Sequence, residues 1–162
     1  MREPPRLPAG CHVAVEDAPS RADRRIIDDE LNALNRPFFS GAEFGRMGIF
    51  IRDADDKIVA GLDGMVEANW LFVDNLWVAE SLRGLGIGSW LLAEGEHRAV
   101  ARGCHSAWLD TFSFQAPDFY RKLGYTVFAT LDYPPEHQRY FLRKSLVDPT
   151  TRPAGRPASN AA

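Results

Sequence analysis

Three glycines alternate with apolar residues in the segment SLRGLGIGSWLL, residues 81–92, between an extended run and a helical one. Glycine costs roughly 0.5–1 kcal/mol in a regular element, so such a cluster indicates a turn with positive φ or a ligand close to the backbone. Bare backbone N–H groups, the positive end of the following helix and the guanidinium of Arg83 together favour an anion. The segment therefore predicts a pyrophosphate cradle, formed by Arg83, Gly84, Leu85, Gly86, Ile87, Gly88 and Ser89.

Two other phosphate-binding patterns do not fit this segment. A P-loop requires Lys-Ser or Lys-Thr after its last glycine, whereas this chain has Ser89-Trp90. The dinucleotide fingerprint G-x-G-x-x-G, counted from Gly84, would need glycine at Ser89, and it belongs to an opening βαβ unit rather than to the middle of a chain. The local pattern alone leaves open a structural turn without a ligand, or a nucleotide site that uses the same cradle.

The first half of the chain predicts a strand, a helix and a strand pair. Residues 12–18, HVAVEDA, alternate apolar and polar side chains and predict a first strand, and residues 20–39 predict a helix with Ser20 as N-cap and Pro37 at its end. Residues 46–67 predict two strands joined by the turn DADD.

The second half must position the cradle. Residues 69–79 predict a central strand before the glycines, and the helix after them, to about Arg102, has one face that can sit close on a sheet: Leu91, Leu92, Gly95 and Ala99. Residues 106–112 predict a strand, residues 116–123 a short helix, and residues 125–131 and 139–146 the last two strands. This order predicts a mixed α/β (α+β) sheet covered by helices.

The cradle and the segment APDFYRKLGY, in this order, resemble the GNAT superfamily of acyl-CoA-dependent N-acetyltransferases. In that family R-x-x-G-x-G holds the pyrophosphate of coenzyme A, and A-x-x-F-Y-x-x-L-G-Y/F lies beside its thiol end. The resemblance implies a mostly antiparallel sheet of about seven strands with about four helices. It also implies acetyl-CoA as the cofactor. The chain has no internal linker and its ends are rich in Pro, Ala and Gly, so a single acetyltransferase domain is expected over residues 11–146, with flexible tails at 1–10 and 147–162.

The resemblance also implies roles for individual residues. Tyr120 is the acid that protonates the departing thiolate and also contacts the cofactor, and the backbone N–H of Trp77 or Val78 meets the acetyl carbonyl. The residues themselves leave the general base open between Asp74 and Glu80, with His97, His105 and His137 also possible, and the resemblance adds a water chain without a single base. Many family members carry Asn where this chain has Ser113, so Ser113 or the nearby Gln115 is expected to contact pantetheine instead.

Composition limits the alternatives. The formal net charge of −3 gives no indication of a nucleic-acid surface, and no apolar run reaches the ~20 residues of a membrane span. Two cysteines without metal-ligand spacing suit a reduced compartment, so a cytoplasmic protein is expected. The expected partner is a small-molecule amine; homodimers are common among similar proteins, although nothing in this sequence requires one. A non-catalytic acyl-CoA-binding module and a protein N-acetyltransferase are the alternative functions.

Overall fold

The computed structural model describes residues 6–39 and 41–148, which fall into two compact units divided after residue 40. The first unit contains one α-helix, α1 (Arg21–Asn35), followed by a 3-10 turn (Arg36–Phe39). Ser20 caps α1 as predicted, because its Oγ accepts a hydrogen bond from the Asp23 N–H at 3.0 Å. Residues 1–5 and 149–162, which include most of the expected tails, lie outside the described part of the chain.

The strand expected at residues 12–18 is wrong, since this stretch has no regular secondary structure and every residue in it is exposed. Alternation of apolar and polar residues specifies only which face of a strand would be buried. A strand also needs a neighbour to complete its hydrogen bonds, and none pairs with this stretch among the described residues. The described part therefore has six strands rather than about seven, and three α-helices rather than about four.

The second unit is a six-stranded sheet with the order β1-β2-β3-β4-β6-β5. Its strands are β1 (Phe44–Arg52), β2 (Ile58–Glu67), β3 (Trp70–Val78), β4 (Ser106–Phe112), β5 (Thr126–Tyr133) and β6 (His137–Ser145). All neighbouring pairs are antiparallel except β3 and β4. The predicted class, a mixed and mostly antiparallel α/β sheet, is confirmed.

Helix α2 (Ile87–Ala101) connects β3 to β4, and α3 (Pro117–Lys122) connects β4 to β5. The buried residues of α2 are the four predicted from its spacing: Leu91, Leu92, Gly95 and Ala99. A Cβ on Gly95 would lie 3.2 Å from Leu62 Cδ1 of β2, which explains why the contact with the sheet uses the smallest residue. Burial of a leucine side chain such as Leu91 or Leu92 contributes about 1.5–3 kcal/mol to the free energy of folding. The contact of α2 with the sheet is therefore a stable part of the fold. Among the described residues, no helix is both long and apolar enough to span a bilayer.

Candidate active site

The first turn of α2 presents backbone N–H groups that the helix itself cannot use. Gly86 is the N-cap and offers no side-chain cap, and the first hydrogen bond back into the turn runs from Trp90 N–H to Gly86 C=O at 3.0 Å. The amides of residues 87–89 therefore have no intrahelical acceptor. They lie at the N-terminus of a fifteen-residue helix, which is the positive end of the helix dipole, and this arrangement favours binding of an anion.

The glycines of the loop serve two different purposes. Gly84 and Gly86 both have a φ of +77°, and a Cβ on either would meet nothing within 4 Å. Glycine is required at these two positions by the left-handed backbone rather than by lack of space. Gly88 has no positive φ, and its added Cβ would lie 3.5 Å from Phe119 Cζ and 3.7 Å from Val78 Cγ2, which is ordinary contact.

A cleft of about 470 Å³ joins this loop to the second sequence motif. Residues of β3, of the loop, of α2 and of α3 line it: Leu76, Trp77, Val78, Leu82, Arg83, Gly84, Gly86, Ile87, Gly88, Ser89, Ala116, Phe119 and Tyr120. Arg83 is the one charged side chain in this lining, and its Nε donates to Val78 C=O at 3.2 Å. The cleft thus combines one cation, uncapped helix amides and mainly apolar walls.

The sheet opens beside this cleft. The parallel pairing of β3 with β4 covers Trp70–Val73 and Ser106–Leu109, and both strands continue beyond the last pair without pairing to each other. The Ala79 N–H donates to Val59 C=O at 2.9 Å, so it points toward β2. Since backbone groups alternate in direction along a strand, the N–H of Val78 faces the opening, whereas that of Trp77 faces β2.

Tyr120 lies in α3, half-buried, with its side chain at the cleft. Its ring meets those of Phe119 and Tyr125 edge-on, at centroid distances of 5.0 and 6.1 Å. Its hydroxyl has no hydrogen-bond partner within residues 6–39 and 41–148. Burial, with a smaller contribution from the Asp110 carboxylate, raises the pKa of the phenol. The Tyr120 hydroxyl is therefore protonated at neutral pH and available as a donor.

Asp74 lies where the sheet opens, directly after Val73, the last residue of β3 that pairs with β4. The register of β2 against β3 shifts between Asp63 and Gly64, so that Asp74 is the extra residue of a β-bulge. Its Oδ2 accepts a hydrogen bond from Arg46 Nη1 at 3.2 Å, and the same nitrogen is 3.7 Å from Asp63 Oδ2. Asp74 does not line the cleft.

Glu80 and Leu85 are also outside the cleft lining. Glu80 begins a 3-10 turn between β3 and the loop (Glu80–Leu82) and is exposed, while its carbonyl accepts the Arg83 N–H at 3.2 Å. Leu85 is 69% exposed. The structure therefore brings neither side chain to Tyr120, although the backbone of Leu85 remains part of the loop.

The two substitutes expected for the pantetheine-binding asparagine are both engaged with neighbouring residues. The Ser113 N–H donates to Gln138 C=O at 2.8 Å, and Ser113 Oγ accepts the Gln138 N–H at 3.1 Å. These bonds extend the pairing of β4 with β6 and direct Ser113 away from the opening beside β3. Gln115 Oε1 accepts the Phe112 N–H at 2.8 Å and the Thr111 hydroxyl at 3.0 Å.

Sequence reasoning did not assign Leu76 and Leu82 to the site, although both line the cleft. Leu76 lies two residues before Val78 in β3, so the two side chains share one face of the strand. Because Val78 was already a candidate, this spacing could have identified Leu76 as well. Leu82 lies in the 3-10 turn, for which the sequence contains no comparable periodicity.

Comparison with known proteins agrees with this architecture. The Acetyltransferase (GNAT) family model matches residues 13–125, and the chain therefore belongs to this family. Blasticidin-S acetyltransferase from Streptomyces morookaense is 44% identical over 92 residues, which are 56% of this chain and 68% of that protein.

Solved structures agree on the fold. An acetyltransferase from Bacillus cereus is 32% identical, with a TM-score of 0.69 over 82% of this chain and 97% of its own. An aminoglycoside 6'-N-acetyltransferase complexed with coenzyme A shares the fold at 16% identity, with a TM-score of 0.57 over 81% of this chain and 97% of its own. The chain is an acetyltransferase of the GNAT family.

Proposed function

We propose that this chain transfers an acetyl group from acetyl-CoA directly to a primary amine of a small molecule. The observation that carries the proposal is that one cleft is lined both by the loop at the N-terminus of α2 and by Tyr120 of α3. A phosphate-binding end and a protonated phenol in the same cleft suit a substrate that carries a diphosphate at one end and a thioester at the other.

The residues at the start of α2 fit the diphosphate of coenzyme A. The uncapped amides of residues 87–89 supply donors, the loop at Gly84 and Gly86 exposes its backbone, and Arg83 supplies positive charge. The aminoglycoside acetyltransferase structure that holds coenzyme A has the same fold, which supports the choice of cofactor. Among the two candidates for the acetyl carbonyl, the direction of its N–H favours Val78 over Trp77.

The acceptor must lose a proton before it can attack. An alkyl amine has a pKa of ~10.4, so at pH 7 about one molecule in 2,500 is neutral, and deprotonation costs about 4–5 kcal/mol. Asp74 lies where β3 and β4 separate, and Glu80 lies farther along the chain in an exposed turn. Asp74 is therefore the better candidate to accept this proton, through water because it does not line the cleft.

The nitrogen then forms a bond to the acetyl carbon, and the carbon–sulfur bond breaks. The leaving thiolate takes the Tyr120 hydroxyl proton, which burial of the phenol keeps in place at neutral pH. The attacking nitrogen carries one more proton than the amide product, and this proton is released as the amide forms and restores the Tyr120 phenol. No acyl-enzyme is required. Cys104 is 2% exposed and burial raises the pKa of its thiol, and Ser89, which lines the cleft, has no side-chain base bonded to it in the described residues.

The class of acceptor substrate is proposed from the sequence similarity to a related acetyltransferase. Because a blasticidin-S acetyltransferase is 44% identical over 92 residues, an amine-bearing antibiotic is the first compound to test as acceptor. The carboxylates of Asp63 and Asp74 share one guanidinium, that of Arg46, and so leave a net negative charge beside the opening of the sheet. This charge favours a cationic acceptor.

The direct test measures release of free thiol from acetyl-CoA with a panel of amines that includes blasticidin S, polyamines, amino acids and peptides. We expect turnover with a small amine, a loss of about 100-fold in kcat for Tyr120→Phe, and weaker coenzyme binding for Arg83→Ala. Binding of coenzyme A without thiol release would instead identify a non-catalytic module. Turnover with peptides alone would identify a protein acetyltransferase.

A further inference from the structure

Helix α3 contributes no fully buried residue, and its partly buried Tyr120 packs against one buried aromatic residue. That residue is Tyr125, which is 2% exposed. The Tyr125 N–H donates to Tyr120 C=O at 3.1 Å, and the two rings meet edge-on at a centroid distance of 6.1 Å. A displacement of Tyr125 therefore moves Tyr120 through both its backbone and its ring.

The hydroxyl of Tyr125 is buried without a hydrogen-bond partner, and so is Oε1 of Glu96 in α2. These are the two buried side-chain polar atoms left unpaired in the part of the chain that the structure describes. They belong to neighbouring groups, because the Lys144 ammonium contacts both the Glu96 carboxylate and the Tyr125 ring. Burial, and then the Glu96 carboxylate, raises the pKa of the Tyr125 phenol far above its usual value. A protonated phenol thus lies beside a carboxylate oxygen that has no other donor.

Lys144 of β6 completes the cluster. Its Nζ lies 2.6 Å from the second oxygen of Glu96, Oε2, and 5.5 Å from the centroid of the Tyr125 ring. The ion pair balances the buried charge and fixes the carboxylate, with side-chain exposures of 13% for Glu96 and 26% for Lys144. Oε1 is thereby left for Tyr125.

We propose that Glu96 is a positioning residue for the transfer reaction, acting through the Tyr125 hydroxyl to fix Tyr120 relative to the cradle. Glu96 lies on α2, the helix whose first turn forms the cradle, and Tyr125 supports α3, which carries Tyr120. In this proposal the two unpaired atoms serve each other, with the Tyr125 hydroxyl as donor and Glu96 Oε1 as acceptor, and so connect the two ends of the cleft through rigid elements. This inference rests on the proposed function, because it assigns a role in relation to the Tyr120 hydroxyl.

A double-mutant cycle tests the proposal. Tyr125→Phe removes one hydroxyl and keeps the buried ring, so we expect kcat for thiol release to fall about tenfold while the Kd for coenzyme A is unchanged. In a Tyr120→Phe background the same substitution is expected to leave kcat unchanged, because no hydroxyl remains to be positioned. Thr126→Val, which removes an exposed hydroxyl from the next residue, is the matched control and should retain wild-type kcat.

A second variant separates positioning from stability. Glu96→Gln keeps an oxygen that can accept from the Tyr125 hydroxyl, so kcat should stay within about threefold of wild type. A fall as large as that of Tyr125→Phe would overturn the assignment of Glu96 as the acceptor. Equal losses for Tyr125→Phe in both backgrounds would overturn the positioning role while leaving Tyr120 as the acid. Wild-type kcat in Tyr120→Phe alone would overturn the proposed acid and, with it, this inference.

Discussion

Alanine at Gly86 and alanine at Gly88 should change the stability of the protein in opposite directions, although the two positions are only two residues apart. Gly86 has a φ of +77°, and an added Cβ meets nothing within 4 Å, so the cost of alanine there is conformational. An L-residue in the left-handed region costs about 1–2 kcal/mol, and the reduced entropy of the unfolded chain returns roughly 0.4–1 kcal/mol of this. The net expectation is a destabilisation of about 1 kcal/mol.

Gly88 lies inside the first turn of α2, and its backbone is not left-handed. The Cβ of an alanine would make ordinary contacts at 3.5 Å with Phe119 and 3.7 Å with Val78, so no atom has to move. Alanine is favoured over glycine in a helix by about 0.8–1 kcal/mol. The Gly88→Ala variant is therefore expected to be more stable than wild type by up to about 1 kcal/mol.

Thermal unfolding measures both effects. For a chain of this size 1 kcal/mol corresponds to a change in Tm of about 2–4 °C, downward for Gly86→Ala and upward for Gly88→Ala. Gly84→Ala is the matched control, since Gly84 has the same φ and equally open surroundings, and its Tm should fall as that of Gly86→Ala does. A Tm for Gly86→Ala at or above that of wild type would refute the left-handed loop and the reasoning built on it.

Three further predictions concern other parts of the chain. Gly64→Ala should abolish soluble expression or lower Tm by far more than the loop variants, because its Cβ would overlap the backbone oxygen of Phe72. A normal yield with wild-type Tm would contradict the bulge geometry. Ser20→Ala should cost α1 about 1 kcal/mol and speed hydrogen exchange of the Asp23 amide, whereas unchanged exchange would show that the cap contributes nothing. In a pH–rate profile, kcat/KM should rise from pH 7 to 9.5 as the amine loses its proton. Loss of the Tyr120 proton should not lower kcat/KM in this range, because the raised pKa of the phenol keeps it protonated. A decrease in kcat/KM toward pH 9.5 that is absent from Tyr120→Phe would contradict that raised pKa.

The sequence predicted local structure well where a single short-range pattern, such as a capping residue or an apolar periodicity, was enough to specify it. The cap at Ser20, the four buried residues of α2 and the bounds of β4 follow from hydrogen-bonding side chains and from periodicity, which are properties of short segments. The stretch at residues 12–18 shows the limit of such signals. Its alternation is typical of a strand, yet a strand forms only when another strand supplies its hydrogen-bond partners.

The candidate site was predicted in part for the same reason. The glycine loop and Tyr120 could be singled out as candidates because each lies in a contiguous motif, and residues of both motifs line the cleft. The surroundings of Asp74, Ser113 and Glu80 could not be read from the sequence. Asp74 is paired with Arg46 of β1, and Ser113 with Gln138 of β6, and these partners depend on the order of strands in the sheet.

By itself, the sequence determined the location of the six observed strands and of the three helices, although it also predicted a strand at residues 12–18 that does not form. It further determined which face of α2 is buried and that a glycine turn precedes that helix. Tertiary structure alone decided that β3 and β4 pair in parallel and then separate, which places the start of α2 and the side chain of Tyr120 around one cleft. It also decided that Glu96, Tyr125 and Lys144 meet beneath α3. The physical reason is that caps, turns and periodicity act between residues near in the chain, whereas strand pairing and burial join residues that only the complete sheet brings together.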